Sequence, residues 1–464
     1  MLWAKQPKGP PMHLTRRSFT ASLAAAAASP ALAQSFDAEA IHLALINGPA
    51  QPFFDALLAI EARANPDMAA SLIQALRFTS GSQAAIETTL RKITGANPGK
   101  GWFDWMLWQE ANPQVIPHPY FTDFKRELFL SIDPNFEVFL KPRHLQRDKM
   151  KIRLEEITWG GVRKDGIPSL DNPTLIAADK ASYMRGDDLV FGVSINGDTR
   201  AYPLRIMGWH EMFNEVIGGV PVALAYCTLC GSGILFETKV KGRTKPLVFG
   251  SSGFLYRSNK LMFDRQTHSL WNQFTGKPVS GKLVNSGIEL QQRPVVITTW
   301  DNWRRDNPDT RILSLNTGHR RDYGSGVVYY EYFASNELMF PTQVDQRQHK
   351  QKDYVFGIRQ FGGAKAWPLS AFARRKVIND GMINTPLVLL GDAKTRSVRA
   401  YERRDLTFKG GPDALTDNRG RSWQVTEDAL VANDGTTLPR VAGHIAYWFA
   451  WNGYLGAESA LYDG

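Results

Sequence analysis

The sequence predicts an α+β protein: a mainly helical N-terminal region, then two pseudo-repeated β-rich units packed together. Three observations carry this. Apolar residues recur at helical spacing between residues 36 and 112. From Asp188 onward, short apolar runs alternate with turn residues, the pattern of strands and hairpins. Residues 353–372 also repeat residues 188–207 at an offset of 165, with eight of twenty positions identical, where average composition gives about one. The ungapped offset continues through Asn214 and Asn379, Pro221 and Pro386, and Glu237 and Glu402. Trp300-x-x-Trp303 is echoed by Trp448-x-x-Trp451 at a shorter spacing. Self-similarity of this kind marks two copies of one supersecondary unit.

The 464 residues exceed one ordinary domain and suffice for a large core. Apolar content of 43% and charged content of 22% fit a soluble globular chain. There is no run of eighteen apolar residues, so no spanning helix is expected in the mature chain. Residues 1–33 read as a leader: Arg16-Arg17 precede a mild apolar run, Leu23 to Ala28, and Ala31-Leu32-Ala33 forms a small-residue cleavage site before Gln34. The paired arginines mark the twin-arginine type of export signal, which predicts a periplasmic or otherwise exported protein. Met12 fits the true start better than Met1. Removing four basic leader residues lowers the net charge from +10 to 10 − 4 = +6. That balance, with no basic stripe interleaved with aromatics, excludes a nucleic-acid protein.

Residues 34–150 form the helical region, through the segments at 40–46, 53–62, 68–78 and 84–93. Apolar faces at this spacing more often pack against a core than form a partner surface. The first β-rich unit spans 151–345. It opens on an irregular loop punctuated by Gly160-Gly161 and Gly166-Ile167-Pro168. Val190 to Ile195 and Thr199 to Leu204 make a hairpin around Asn196-Gly197, both of which tolerate positive φ. Ile206 to Ile217 has helical spacing, with Ile206, Trp209, Phe213 and Ile217 on one face, and Gly218-Gly219 ends that helix. Val220 to Tyr226 is a strand, Cys227 to Gly233 a turn, and Ile234 to Phe236 a strand. Gly250-Ser251-Ser252-Gly253 lacks one spacer of a nucleophile elbow and reads as a turn. Asn316-Thr317-Gly318 with Arg320 to Tyr323 forms a polar loop that lines a cleft or stays a solvated turn. The second, degenerate unit spans 346–464 and ends with Trp448 and Trp451 as core residues.

The candidate chemistry lies at Cys227 and Cys230, the only cysteines, with His210 seventeen residues before the first. Cys-x-x-Cys with a nearby histidine is the vocabulary of a soft metal site or a redox pair. At the repeat offset His210 becomes Arg375, Cys227 becomes Asp392 and Cys230 becomes Thr395. The unit can therefore be built without the set, which favours a function over packing. The first expectation is a transition-metal site for copper or zinc. His210, Cys227 and Cys230 would be ligands, with Met262, Asp264 and His268 as candidates to complete the shell. Such a protein is a metalloenzyme, or a metal or electron carrier working with a small molecule or a metal-delivery partner. A helix from His210 to Ile217 rises only about 10 Å, whereas the return strand to Cys227 covers about 23 Å; convergence then requires the elements to cross or bend. His210-Glu211 is not a zincin motif, because Asn214 replaces the second histidine. The alternatives are a structural disulfide in a non-catalytic scaffold and thiol–disulfide exchange. The latter is disfavoured by the Gly-Ser-Gly and apolar strand that follow Cys230 in place of a helix. Asp264 and Arg265 read as an acid/base or anion-binding pair, or as a plain ion pair.

The segments WGGVRKDGIPSLDNP, FGVSINGDTRAYPLRIMGWHEMFN, GGVPVALAYCTLCGSGILF, SGFLYRSNKLMFDRQTHSLWNQF and LNTGHRRDY occur in order. Together they resemble the exported family known as domain of unknown function 3179 (DUF3179). They cover most of 151–345, with looser matches to the C-terminus. The resemblance implies that family's fold and an extracytoplasmic setting. It brings no reaction with it.

Overall fold

The computed structural model describes residues 36–464, so the leader expected at 1–33 lies outside the described residues. The chain divides into two compact units: residues up to 146 with 153–156, and residues 147–152 with 157–464.

The first unit is helical, as its periodicity predicts. Its main helices are Ala38–Asn47, Gln51–Arg63, Ala69–Phe78, Gln83–Thr94, Gly101–Ala111 and Phe121–Ile132. The Asp37 carboxylate caps the first by accepting the N–H groups of Glu39 and Ala40, which would otherwise lack partners. Gly95, in the left-handed region, closes the fourth. Ala69–Phe78 is the central helix, buried from Ala69 through Leu76. Within it the buried Ser71 hydroxyl is paired, meeting His42 Nε2 at 2.8 Å.

The second unit is β-rich and contains five sheets among the described residues. Asn196-Gly197 turns the hairpin of strands Leu189–Ile195 and Asp198–Pro203, with Ile195 opposite Asp198 and both turn residues at positive φ. The next stretch departs from expectation. The helix covers only Leu204–His210, and Met212–Ile217 is a strand. Glu211 takes the left-handed conformation, φ 56°, and ends the helix. Gly218-Gly219, at φ 54° and 81°, then form a two-residue turn that places Ile217 opposite Val220. The apolar residues at 213 and 217 suit a strand face as well as a helix face. Pairing with Val220–Cys227 on one edge and with Leu170–Asp171 on the other satisfies its backbone and selects the strand. It also removes the difficulty of a short helix facing a long strand, because Tyr226 N–H donates to Glu211 O at 2.8 Å.

Five strands then recur with both ends shifted by 165. Leu189–Ile195 and Asp198–Pro203 correspond to Tyr354–Gln360 and Gly363–Pro368. Met212–Ile217, Val220–Cys227 and Ser232–Glu237 correspond to Val377–Met382, Thr385–Asp392 and Ser397–Glu402. In the later run the eight-stranded sheet curls into a nearly closed barrel. The Asn379 side chain draws its first and last strands together by bracketing the backbone N–H and C=O of Phe408, at 2.7 Å each. Asn214 brackets Phe249 in the same way, at 2.9 and 2.8 Å.

The two runs share one core, in which Phe191, Tyr202 and Leu224 are buried with Phe356, Trp367 and Leu389. Two tryptophans lock the sheets. Trp303 lies on Gly192 and Trp451 on Gly357, and a Cβ at either glycine would overlap the indole. Each indole N–H is satisfied, by Thr310 Oγ1 at 2.8 Å and by Ser459 Oγ at 2.7 Å. Among the described residues no helix is long and apolar enough to cross a membrane.

Gly357→Ala should lower stability by about 1–3 kcal/mol through overpacking. Gly411→Ala, where an added Cβ meets open space, should change it by less than about 0.5 kcal/mol. Urea unfolding followed by tryptophan fluorescence reads both, and equal effects would contradict the packing account.

Candidate functional site

The cysteines sit where strands Val220–Cys227 and Ser232–Glu237 meet, with Cys227 opposite Ser232. Residues 228–231 close the turn. Cys230 N–H donates to Cys227 O at 3.1 Å and Gly231 N–H to Thr228 O at 3.2 Å. Gly231 holds φ 58° and lies against the rings of Tyr354 and Tyr447, so the turn requires a residue without a Cβ. Both cysteines are free thiols, 2% and 0% exposed. Their sulfurs are 2.6 Å apart. The Cys230 thiol also points at Asn259 Oδ1, 3.2 Å away, and at Ser258 O, 3.5 Å away. Burial, and then the contact with Cys227, pushes the Cys230 thiol up. It therefore stays protonated at neutral pH.

A buried ion pair supports the turn. Glu211 Oε1 accepts the Thr228 hydroxyl at 2.7 Å, and Oε2 accepts Lys260 Nζ at 3.0 Å. The left-handed backbone of Glu211 aims this carboxylate beneath the cysteines, a strained conformation of the kind found at functional sites. Tyr332 donates its hydroxyl to Leu229 O at 2.7 Å, and Tyr447 N–H donates to Cys230 O at 2.8 Å. The second run thus supplies part of the wall around the first run's cysteines.

His210 is placed differently. It ends the short helix and is fully buried. Its Nδ1 is 2.9 Å from Pro168 O, a group that can only accept, so Nδ1 carries the proton. Nε2 then accepts from the Tyr323 hydroxyl at 2.6 Å, and that oxygen accepts from Thr317 Oγ1 at 2.6 Å. Three separated sequence motifs, around Pro168, His210 and Thr317–Tyr323, meet here. His319, Arg320 and Arg321 line an open cleft beside them together with Arg205 and Tyr323. The expected polar loop therefore does border a cleft. Burial, with smaller contributions from His319 and Arg321, lowers the His210 pKa to about 4.

The remaining candidates are engaged elsewhere. Met262 is fully buried in strand Asn259–Asp264, opposite Ser251 and Trp271. Asp264 accepts Thr267 N–H at 2.6 Å, Thr267 Oγ1 at 2.7 Å and Trp271 Nε1 at 3.0 Å. His268 stacks on Phe263. Arg265 pairs with Asp165 at 3.0 Å, not with Asp264. Ser252 lies in a strand and donates to Leu261 O. The structure therefore brings the two sulfurs together, while both nitrogens of the His210 ring and the Asp264 carboxylate hold other partners. Among the described residues no group of three or more His, Cys, Asp and Glu side chains could hold a metal ion. Sequence reasoning missed Glu211, Lys260 and Asn259, and did not foresee that Tyr323 of the polar loop meets His210. Glu211 directly follows His210, and the other three lie in segments quoted above, so adjacency and motif membership were the available signals. For Tyr447 there was none.

A folded-state pKa below the ordinary value of 6.5 means that the unfolded chain binds the proton more readily. His210 should therefore add stability that is full above pH 6.5 and is lost as pH falls toward 4, on the order of 3 kcal/mol. His210→Gln should flatten that part of the pH–stability profile measured by urea unfolding. An unchanged slope would show that the ring is not held neutral.

No curated protein and no solved structure matches this chain. A family model does, over residues 164–458, a span that includes both cysteines, His210 and every partner named for them here. On that match the chain belongs to the family described as protein of unknown function, DUF3179.

Proposed function

We propose that this chain is an exported protein built from two copies of one β-rich unit, 151–345 and 346–464. In the first copy Cys227 and Cys230 form a dithiol–disulfide couple. The two-copy reading is supported by the shared strand bounds, the paired Asn214 and Asn379 brackets and the paired Gly–Trp contacts. Export rests on the leader in the sequence.

The observation that carries the redox reading is the approach of two buried sulfurs to 2.6 Å on a turn that does not need them. At the matching turn, Asp392 Oδ1 accepts the N–H groups of Lys394 and Thr395 at 2.8 and 3.4 Å. That hairpin closes without sulfur. A bridge across a loop of about four residues would stabilise the fold by only about 2 kcal/mol. A purely structural role therefore explains little.

Oxidation of the pair also suits the burial. Two S–H groups become one S–S bond, and two protons leave with two electrons, so neither state places a charge in the interior. The electrons pass to a small-molecule disulfide. The Cys227 thiolate attacks it, a mixed disulfide forms and one thiol leaves. Cys230 then displaces the second thiol and closes the bridge. No helix N-terminus follows Cys230, since Ser232–Glu237 is a strand. The turn lacks the helix dipole that stabilises a thiolate, and exchange is slow. Copper or zinc on the two sulfurs is the second reading. The Asn259 Oδ1 atom, 3.2 Å from Cys230 Sγ, favours it as a third donor.

One preparation, made through the protein's own export route, tests both. Equilibration in glutathione buffers should convert both thiols together with a single two-electron midpoint, and the conversion should fail in Cys227→Ser. A bridge that no dithiol reduces in the native state would overturn the redox reading. So would stoichiometric copper or zinc that is lost in Cys227→Ser.

A further inference from the structure

A second cavity, of about 300 Å³, borders the cysteine turn, its wall including Tyr226, Gly231, Tyr330, Phe333, Tyr354 and Arg396. That volume is at the small end of ligand pockets. Its charges do not balance. Arg205 pairs with Asp188 at 2.9 Å, and Arg185 with Asp187 at 3.5 Å. Arg396 has no carboxylate partner among the described residues. Its Nη1 donates to the Tyr354 hydroxyl at 2.8 Å, and its guanidinium stacks 4.5 Å from the Tyr354 ring centre. This leaves the Nε–Nη2 edge of the guanidinium, the fork that pairs with a carboxylate.

The backbone at this position is that of the corresponding turn. Arg396 sits at φ 55°, and the residue 165 positions earlier is Gly231, at φ 58°. The turn thus asks for a glycine. A long, branched-head cation stands there instead, at a conformation that disfavours side chains.

We propose that this cavity binds a small organic monoanion, a carboxylate on an apolar or aromatic body, with Arg396 as its anchor. A single uncompensated cation sets the charge at one. The planar fork suits a carboxylate, and the tyrosine and phenylalanine walls take the apolar body. The assignment does not depend on the redox state of the sulfurs.

Benzoate and its neutral isostere benzamide are the probes, applied to the full mature chain by isothermal titration and thermal unfolding. Benzoate should bind and raise the melting temperature, while benzamide should bind at least about tenfold more weakly. Arg396→Lys, which keeps the charge but not the fork, should weaken benzoate about tenfold. Arg396→Gly should abolish benzoate binding without lowering the ligand-free melting temperature, because glycine suits the backbone; a merely structural arginine would lower it. Cys227→Ser should bind benzoate normally, so failure of the redox reading leaves this one standing. The proposal is overturned if Arg396→Gly binds benzoate as the wild type does. It is equally overturned if benzamide matches benzoate, or if no benzoate binds at about 10 mM.

Discussion

The hydrogen bond from Tyr447 N–H to Cys230 O is the constraint on which the site depends. It ties the cysteine turn of the earlier run to strand His444–Tyr447 of the later one. That strand in turn pairs with Tyr354–Gln360. Gly231 gives the Tyr354 and Tyr447 rings room to close over the turn. A Cβ there would press on both rings, about 3.1–3.3 Å away. The cysteines are buried by a neighbour more than two hundred residues further along the chain, and neither run alone would enclose them.

Beneath the turn, the Glu211–Lys260 pair shows how the site stays ordered. Burying two charges is costly, and their attraction offsets that cost only when geometry is good and other donors complete the shell. Here the Thr228 hydroxyl fills the second carboxylate oxygen. The pair therefore orients the turn more than it stabilises the fold. Phenols and backbone carbonyls make up much of the remaining surroundings. An interior of that kind favours neutral species, which is why burial holds the Cys230 thiol protonated and the His210 ring unprotonated near neutral pH.

The two hairpin turns illustrate how one scaffold carries different chemistry. Both join strands of matching length and register. One uses sulfur at two positions and glycine at the left-handed one. The other uses Asp392 as a local acceptor and places Arg396 at the left-handed position. Arg396 and Gly231 then border the same cavity. The difference lies in the side chains that two turns of matching register carry.

Much of the local structure was legible in the residues alone. Asn196-Gly197 specified its turn because only residues that tolerate positive φ fit it. The 165-residue echo marked the strands that recur, and the helical spacing before residue 112 marked the N-terminal helices. Residues 206–210 are helical as expected, but 212–217 were misread as helix, because apolar residues at 206, 209, 213 and 217 fit a helical face and the last two also fit a strand. Gly218-Gly219 was the overlooked hairpin signal. The site was legible only in part. Cys227 and Cys230 are three residues apart, so their meeting is local. His210, by contrast, finds Tyr323 across 113 residues and Glu211 finds Lys260 across 49. Sequence determined which groups could hydrogen-bond. The sheet pairing decided which partners lay within reach, because a buried polar side chain takes whatever complementary atom the packed strands bring beside it.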